Sequence, residues 1–220
     1  LGHGAGVIKN YFLNYNECES NDFILEKGGE EPTLVTTDIQ DWRITFVDTG
    51  LNANVGQRLM AVAKYVEQEE MFLANYADGL TDLPLPKMIE AFSQDQNMTG
   101  MFACVRPRQS FHLVSLDDTR LVTSIEEMSR SGLYVNGGFF IFRGNVIRSI
   151  ERGEELVQEP FDRLIKEKRL KGYPYNGFWM AMDTFKDKQN LDDLYARALA
   201  PWEVWKQRES LGELRGKSNR

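Results

Sequence analysis

Apolar positions in this chain recur with a helical period in some stretches and crowd into short β-branched or aromatic runs in others. The two patterns alternate along its length. Helical spacing is found over residues 7–15, over 56–66 through Leu59, Val62, Ala63 and Val66, and over 85–92, 161–168 and 187–197. Strands are expected at 43–47, 71–76, 100–105, 111–116, 121–125, 134–142 and 170–175. The run 71–76 reads as a buried strand that empties into the polar loop Ala77-Asp78-Gly79. Residues 26–41 are polar and punctuated by turn formers, a loop or short hairpin. Helices alternating with strands, and strands clustered in the second half, specify an α/β sandwich around a mixed sheet.

Length and composition narrow this picture. The 220 residues suffice for one substantial core, read as a single domain over 1–205 followed by a charged tail, 206–220. Thirty-three acids against 26 Lys and Arg leave a net charge of −7, with no basic stripe ahead of the tail, which argues against a nucleic-acid binder. A phosphorylated ligand then needs local cations or a bridging metal. Cys18 and Cys104 stand outside any CxxC spacing, so neither a disulfide framework nor a zinc site is expected, and a reducing cytoplasm is the simplest setting. No apolar run approaches the ~20 residues of a membrane span.

The sharpest chemical signal is Tyr76-Ala77-Asp78-Gly79-Leu80-Thr81-Asp82. An apolar strand ending in Asp-Gly sets a carboxylate at a sheet's edge, where open α/β folds bind ligands. Asp78 there can hold Mg²⁺, which takes oxygen ligands and keeps waters for phosphates to replace; the alternative is an ordinary Asp-Gly turn. A second acid, Asp183, follows the aromatic and Met-rich run Gly177-Phe178-Trp179-Met180-Ala181-Met182. It either shares the metal with Asp78 or caps the helix that begins just after it. Asn136-Gly137-Gly138 interrupts a strand, which marks either a ligand's approach or a β-bulge. Glu159 either accepts sugar hydroxyls or simply precedes a helix. Gly2, Gly4 and Gly6 form a turn rather than a phosphate loop, and His3 and His112 share no motif with a nucleophile. Trp202 and Trp205 read as a packing or oligomer anchor.

Six strings, TFVDTG, NYADGLTD, VNGGFFIF, QEP, GFWMAMDTFKD and APWEVW, stand in the order found in glucose-1-phosphate cytidylyltransferases. From Gly2 to Trp205 the chain thus resembles the sugar nucleotidylyltransferase family. The resemblance implies a Rossmann-like, GT-A-like fold, cytoplasmic nucleotide-sugar biosynthesis for polysaccharides, a homo-oligomer, and Mg²⁺-dependent transfer from a nucleoside triphosphate, CTP, to glucose-1-phosphate. It assigns Asp78 and Asp183 as metal ligands, Arg58, Ala77 and Gly79 to the nucleotide side, and Asn136, Gly137, Glu159 and Trp179 to the sugar side.

Departures from the family pattern carry expectations of their own. Its GGxGTR loop is not among these 220 residues, so the domain is expected to lack its first βα unit, and this polypeptide alone to have little transferase activity. The competing reading is a non-catalytic, sugar-phosphate-binding or oligomer-forming relative. Where the family reads EKP this chain has Glu126-Glu127-Met128, so an acid replaces the cation that meets the sugar's phosphate. Ala53 and Ala77 also depart from the pattern. Arg106, Arg108 or Lys186 is expected to supply the missing charge, or the acceptor differs; Glu127→Lys is expected to improve turnover of glucose-1-phosphate.

Overall fold

A computed structural model of the chain describes residues 1–29, 31–107 and 111–206. They form two compact units, one of Leu1–Lys64 with Ile150–Pro160, the other of Tyr65–Ser149 with the residues from Phe161 onward.

In the first unit, α1 (Ala5–Leu13) presents Phe12 to Trp42 and Phe46, at ring separations of 6.4 and 5.5 Å. The polar stretch after it forms a hairpin of β1 (Phe23–Ile24) and β2 (Thr33–Leu34). Helix α2 (Val55–Ala61) starts where it does because Asn54 and Gln57 cap it reciprocally. Asn54 Oδ1 accepts from Gln57 N at 2.8 Å, and Gln57 Oε1 accepts from Asn54 N at 2.9 Å. The one helix expected over 56–66 is two, because the chain closes a tighter turn at Val62, whose N–H reaches Leu59 O. Helix α3 (Ala63–Val66) then runs across the unit boundary.

One expected strand is absent. Residues 43–47 carry β-forming side chains, but the main-chain bonds found there are Leu1 N to Val47 O, at 2.6 Å, and Thr49 N to Leu1 O, at 2.9 Å. A β-branched run becomes a strand only where another strand accepts its ladder.

The second unit is built on a four-stranded mixed sheet of β3 (Phe72–Asn75), β8 (Val135–Phe142), β5 (Gly100–Val105) and β9 (Leu170–Tyr175), in that order. Strand β8 runs antiparallel to both neighbours, and β9 is parallel to β5. Side-chain alternation along β8 divides the core between its two faces. Ile141 packs with Met88 and Phe92 of α4 (Leu85–Ser93) and with Met101, Ala103 and Leu83. Phe140 and Phe142 turn the other way, onto Phe161 of α5 (Glu159–Lys166), at 6.2 and 6.3 Å. Met88, Phe92, Ile141 and Phe142 are fully buried, each contributing about 1.5–3 kcal/mol. Helices on both faces of a mixed sheet make the expected α/β sandwich. Strand β3 is an edge strand rather than a buried one: among the described residues it pairs with β8 alone, and Leu73 is 49% exposed.

Two small ribbons complete this unit. Strands β6 (His112–Leu116) and β7 (Val122–Glu127) form an exposed hairpin. Strands β4 (Gly79–Thr81) and β10 (Trp179–Ala181) pair antiparallel, and α6 (Phe185–Ala196) follows β10.

Candidate active site

The chain leaves β3 beside β8 and passes through a turn into β4. Tyr76 N donates to Gly138 O at 2.8 Å, extending the β3–β8 ladder by one step, and Ala77 and Asp78 make the turn. Gly138 must be glycine here: its φ of 73° is left-handed, and a Cβ would lie 2.7 Å from the Tyr76 ring. Pairing of β8 with β5 slips between Phe102 and Cys104, so Gly137 and Gly138 sit in a bulge. Asn136 Oδ1 accepts from Gly138 N at 2.9 Å and holds that bulge, which commits its carbonyl end locally.

Across the β4–β10 ribbon the register is Gly79 with Ala181, Leu80 with Met180 and Thr81 with Trp179. Met182 N donates to Asp78 O at 2.9 Å, so the pairing continues one residue past the strands. Asp78 and Asp183, over a hundred positions apart in the chain, therefore stand at the same end of one ribbon, one position out of register. Both are exposed, and neither carboxylate has a hydrogen-bond or ion-pair partner among the described residues. The helix after them leaves Asp183 free of a capping duty. Thr184 is the N-cap of α6; its side chain accepts from Asp187 N, and Asp187 Oδ2 accepts from Thr184 N at 2.9 Å.

The sugar-side residues of the second unit converge on the same ribbon. Trp179 Nε1 donates to Gly137 O at 2.7 Å, and a Cβ added to Gly79 would lie 3.8 Å from that nitrogen and 3.9 Å from that oxygen. Glu159, the exposed first residue of α5, falls in the first unit. Arg58 belongs to the first unit, where Nη1 donates to Thr49 Oγ1 at 2.9 Å and the guanidinium packs on the backbone of Gly2. That unit also holds a cavity of about 810 Å³, lined by Thr49, Gly50, Asn52, Gln57 and Arg152 among others.

The cations considered as replacements for the family lysine are variously engaged. Arg106 lies 4.0 Å over the Tyr134 ring and donates to Leu133 O, Lys186 is exposed in the first turn of α6, and Arg108 lies outside the described residues. Glu127 ends β7 and pairs with Arg130 Nε at 3.2 Å. Trp202 packs its ring 5.5 Å from that of Phe178, whereas Trp205 is 53% exposed.

A divalent cation suits these donors. Two exposed carboxylates with no ion-pair partner among the described residues offer hard oxygen ligands, and Mg²⁺ is held by one or two such groups plus water and substrate phosphate. No cluster of three or more metal-ligating side chains occurs among the described residues, so most of the coordination sphere would be left to substrate and water.

Sequence reasoning passed over Asp82 and Tyr175. Tyr175 Oη donates a hydrogen bond to Asp82 Oδ1, and Phe178 N donates to the same oxygen at 2.7 Å. Burial, and then the Asp82 carboxylate, push the Tyr175 phenol well above the ordinary tyrosine range. The acid was visible in the NYADGLTD string, but its partner lies 93 positions away.

Glucose-1-phosphate cytidylyltransferases of Salmonella typhi and Salmonella typhimurium are each 31% identical to this chain over 205 residues, 93% of it and 79% of theirs. The chain belongs to the sugar-1-phosphate nucleotidylyltransferases. Its fold is similar to that of HddC from Yersinia pseudotuberculosis complexed with GMP-PN, at a TM-score of 0.53 and 17% identity over 86% of this chain and 74% of that one. No family model matches the chain.

Proposed function

We propose that the protein joins CTP to glucose-1-phosphate, forming CDP-glucose and pyrophosphate, with Mg²⁺ held by Asp78 and Asp183. The observation that carries this reading is the Met182 N–Asp78 O hydrogen bond, which brings to one ribbon end two acids whose carboxylates have no partner among the described residues. The relatives' names supply the nucleotide and sugar. A phosphate oxygen of the sugar phosphate attacks the α-phosphorus of the nucleotide in line, the new P–O bond forms, and pyrophosphate departs with the electrons of the broken one. Such a transfer needs little covalent help, so the chain's task is to align two anions and offset their charge. When bound, Mg²⁺ would supply Lewis-acid neutralisation of the phosphate oxygens. Asp78 and Asp183 hold the negative charge that recruits it. Trp179 and Gly137 wall the sugar side, and the amide nitrogen of Asn136 is the end left to meet a hydroxyl or phosphate. Ala77 and Gly79, on either side of Asp78, serve the nucleotide.

The test is formation of CDP-glucose by the full-length protein, followed by ³¹P NMR, with CTP, UTP and dTTP compared in Mg²⁺ and in EDTA. CTP is expected to lead, and Asp78→Asn and Asp183→Asn are each expected to lower kcat by about a hundredfold or more, the scale of losing one preorganised charge-stabilising group. Full turnover by either variant would remove the metal assignment, and a preference for another triphosphate would remove CTP.

A further inference from the structure

Asp82, one residue past β4, sits where β4, the end of β9 and the start of β10 meet. Its Oδ1 accepts from Tyr175 Oη, the last side chain of β9, and from Phe178 N at 2.7 Å, while its own N–H donates to Phe178 O at 3.3 Å. Thr81 Oγ1 donates to the same carbonyl at 2.7 Å. Residues 176–178 are all that joins β9, in the four-stranded sheet, to β10, in the ribbon. This connector is pressed against the carboxylate: a Cβ on Gly177 would lie 2.8 Å from Asp82 Oδ1 and 2.0 Å from Tyr175 Oη, so only glycine passes. The connector's geometry therefore aims the ribbon, and with it Trp179 at Gly137 O and Asp183 four residues on.

We propose that Asp82 is a positioning residue for the transfer reaction, clamping the 176–178 connector so that Trp179 keeps its bond to Gly137 O and Asp183 stays at the ribbon end that carries Asp78; this rests on the nucleotidyl-transfer reading of the same site. Asp82 acts through Phe178 and Tyr175 and touches no reacting atom. Its hydrogen bonds need an acceptor oxygen rather than a charge, so asparagine is expected to replace it.

The experiment compares Asp82→Ala, Asp82→Asn and Tyr175→Phe in the full-length protein by two measurements. In steady-state kinetics, Asp82→Ala and Tyr175→Phe are expected to raise KM for the sugar phosphate and lower kcat, together about ten- to a hundredfold, the scale of a small misplacement, with KM for the nucleotide moving less. Asp82→Asn is expected to restore most of both. In NMR-detected exchange, the Trp179 indole N–H, identified by its loss in Trp179→Phe, is expected to exchange about tenfold faster in the two impaired variants as its bond to Gly137 O loosens. Should Asp82→Ala not fold, Tyr175→Phe decides alone, since it removes one hydroxyl. Unchanged indole exchange in every variant that folds, or an Asp82→Asn as impaired as Asp82→Ala, overturns the proposal. Faster indole exchange in a protein that forms no nucleotide sugar retains the clamp and overturns the transfer reading instead.

Discussion

Asp78 and Asp82 stand four positions apart in the chain and have opposite surroundings. Asp78 is exposed with its carboxylate unengaged among the described residues, whereas Asp82 is partly buried and accepts two hydrogen bonds on one oxygen. An engaged carboxylate holds structure, and an unengaged one is free to take a ligand. Only the first of these roles needs a distant partner, which is why Asp78 was legible from an apolar run ending in Asp-Gly and the Asp82–Tyr175 bond was not. The bond has a pH signature. Tyr175 carries a folded value raised above the ordinary one, first by burial and then by Asp82. A group raised in this way stabilises the fold fully below its unfolded value, near pH 10, and loses that contribution as pH climbs through the folded value. The stability advantage of wild type over Tyr175→Phe, from urea denaturation, is therefore expected to be flat between about pH 7 and about pH 9 and to shrink above about pH 10. An advantage that stays level through the alkaline range would mean that the phenol titrates normally.

At the scale of elements, the start of α6 separates a structural acid from a chemical one. Asp183-Thr184 could begin a helix with either residue as the cap, and the sequence pattern does not choose, because both types cap well. The backbone chooses Thr184, whose side chain meets Asp187 N in a reciprocal box. Thr184→Ala is expected to cost about 1 kcal/mol of unfolding free energy with transfer activity largely kept. Asp183→Asn is expected to change stability by less than about 0.5 kcal/mol, the usual limit for an exposed site, while activity falls. Denaturation and turnover measured on the same two variants check this, and a large stability loss in Asp183→Asn would return that acid to a structural role. Helices were legible here because each carries its own hydrogen bonds and caps locally. Strands were less so: residues 43–47 have the composition of a strand without its ladder, and β3 reads as buried although it lies on an edge, since burial is decided by neighbours far away in the chain.

For the whole molecule, net charge sets the terms on which substrate arrives. The chain carries −7, and both proposed substrates are anions, so the long-range field opposes association unless something positive intervenes locally. If that something is a divalent cation between Asp78 and Asp183, nucleotide and metal must bind cooperatively, the metal reducing the repulsion that the nucleotide meets and the nucleotide adding oxygen ligands to the metal. A ligand at about a hundred times its Kd stabilises the folded state by about 2.7 kcal/mol, which for a chain of this size raises Tm by roughly 5–10 °C. CTP with Mg²⁺ is expected to produce a shift of that order in the full-length protein, and CTP with EDTA a much smaller one. The Mg²⁺-dependent part is expected to vanish in Asp78→Asn while the metal-free part survives, because the substitution removes the cation's ligand and adds no repulsion. Raising the salt concentration should enlarge the metal-free shift by screening the acidic surface, and so narrow the gap between the two conditions. Equal shifts with and without Mg²⁺ would show that the protein's own cations suffice to hold the triphosphate, and that the two acids at the ribbon's end serve some other purpose.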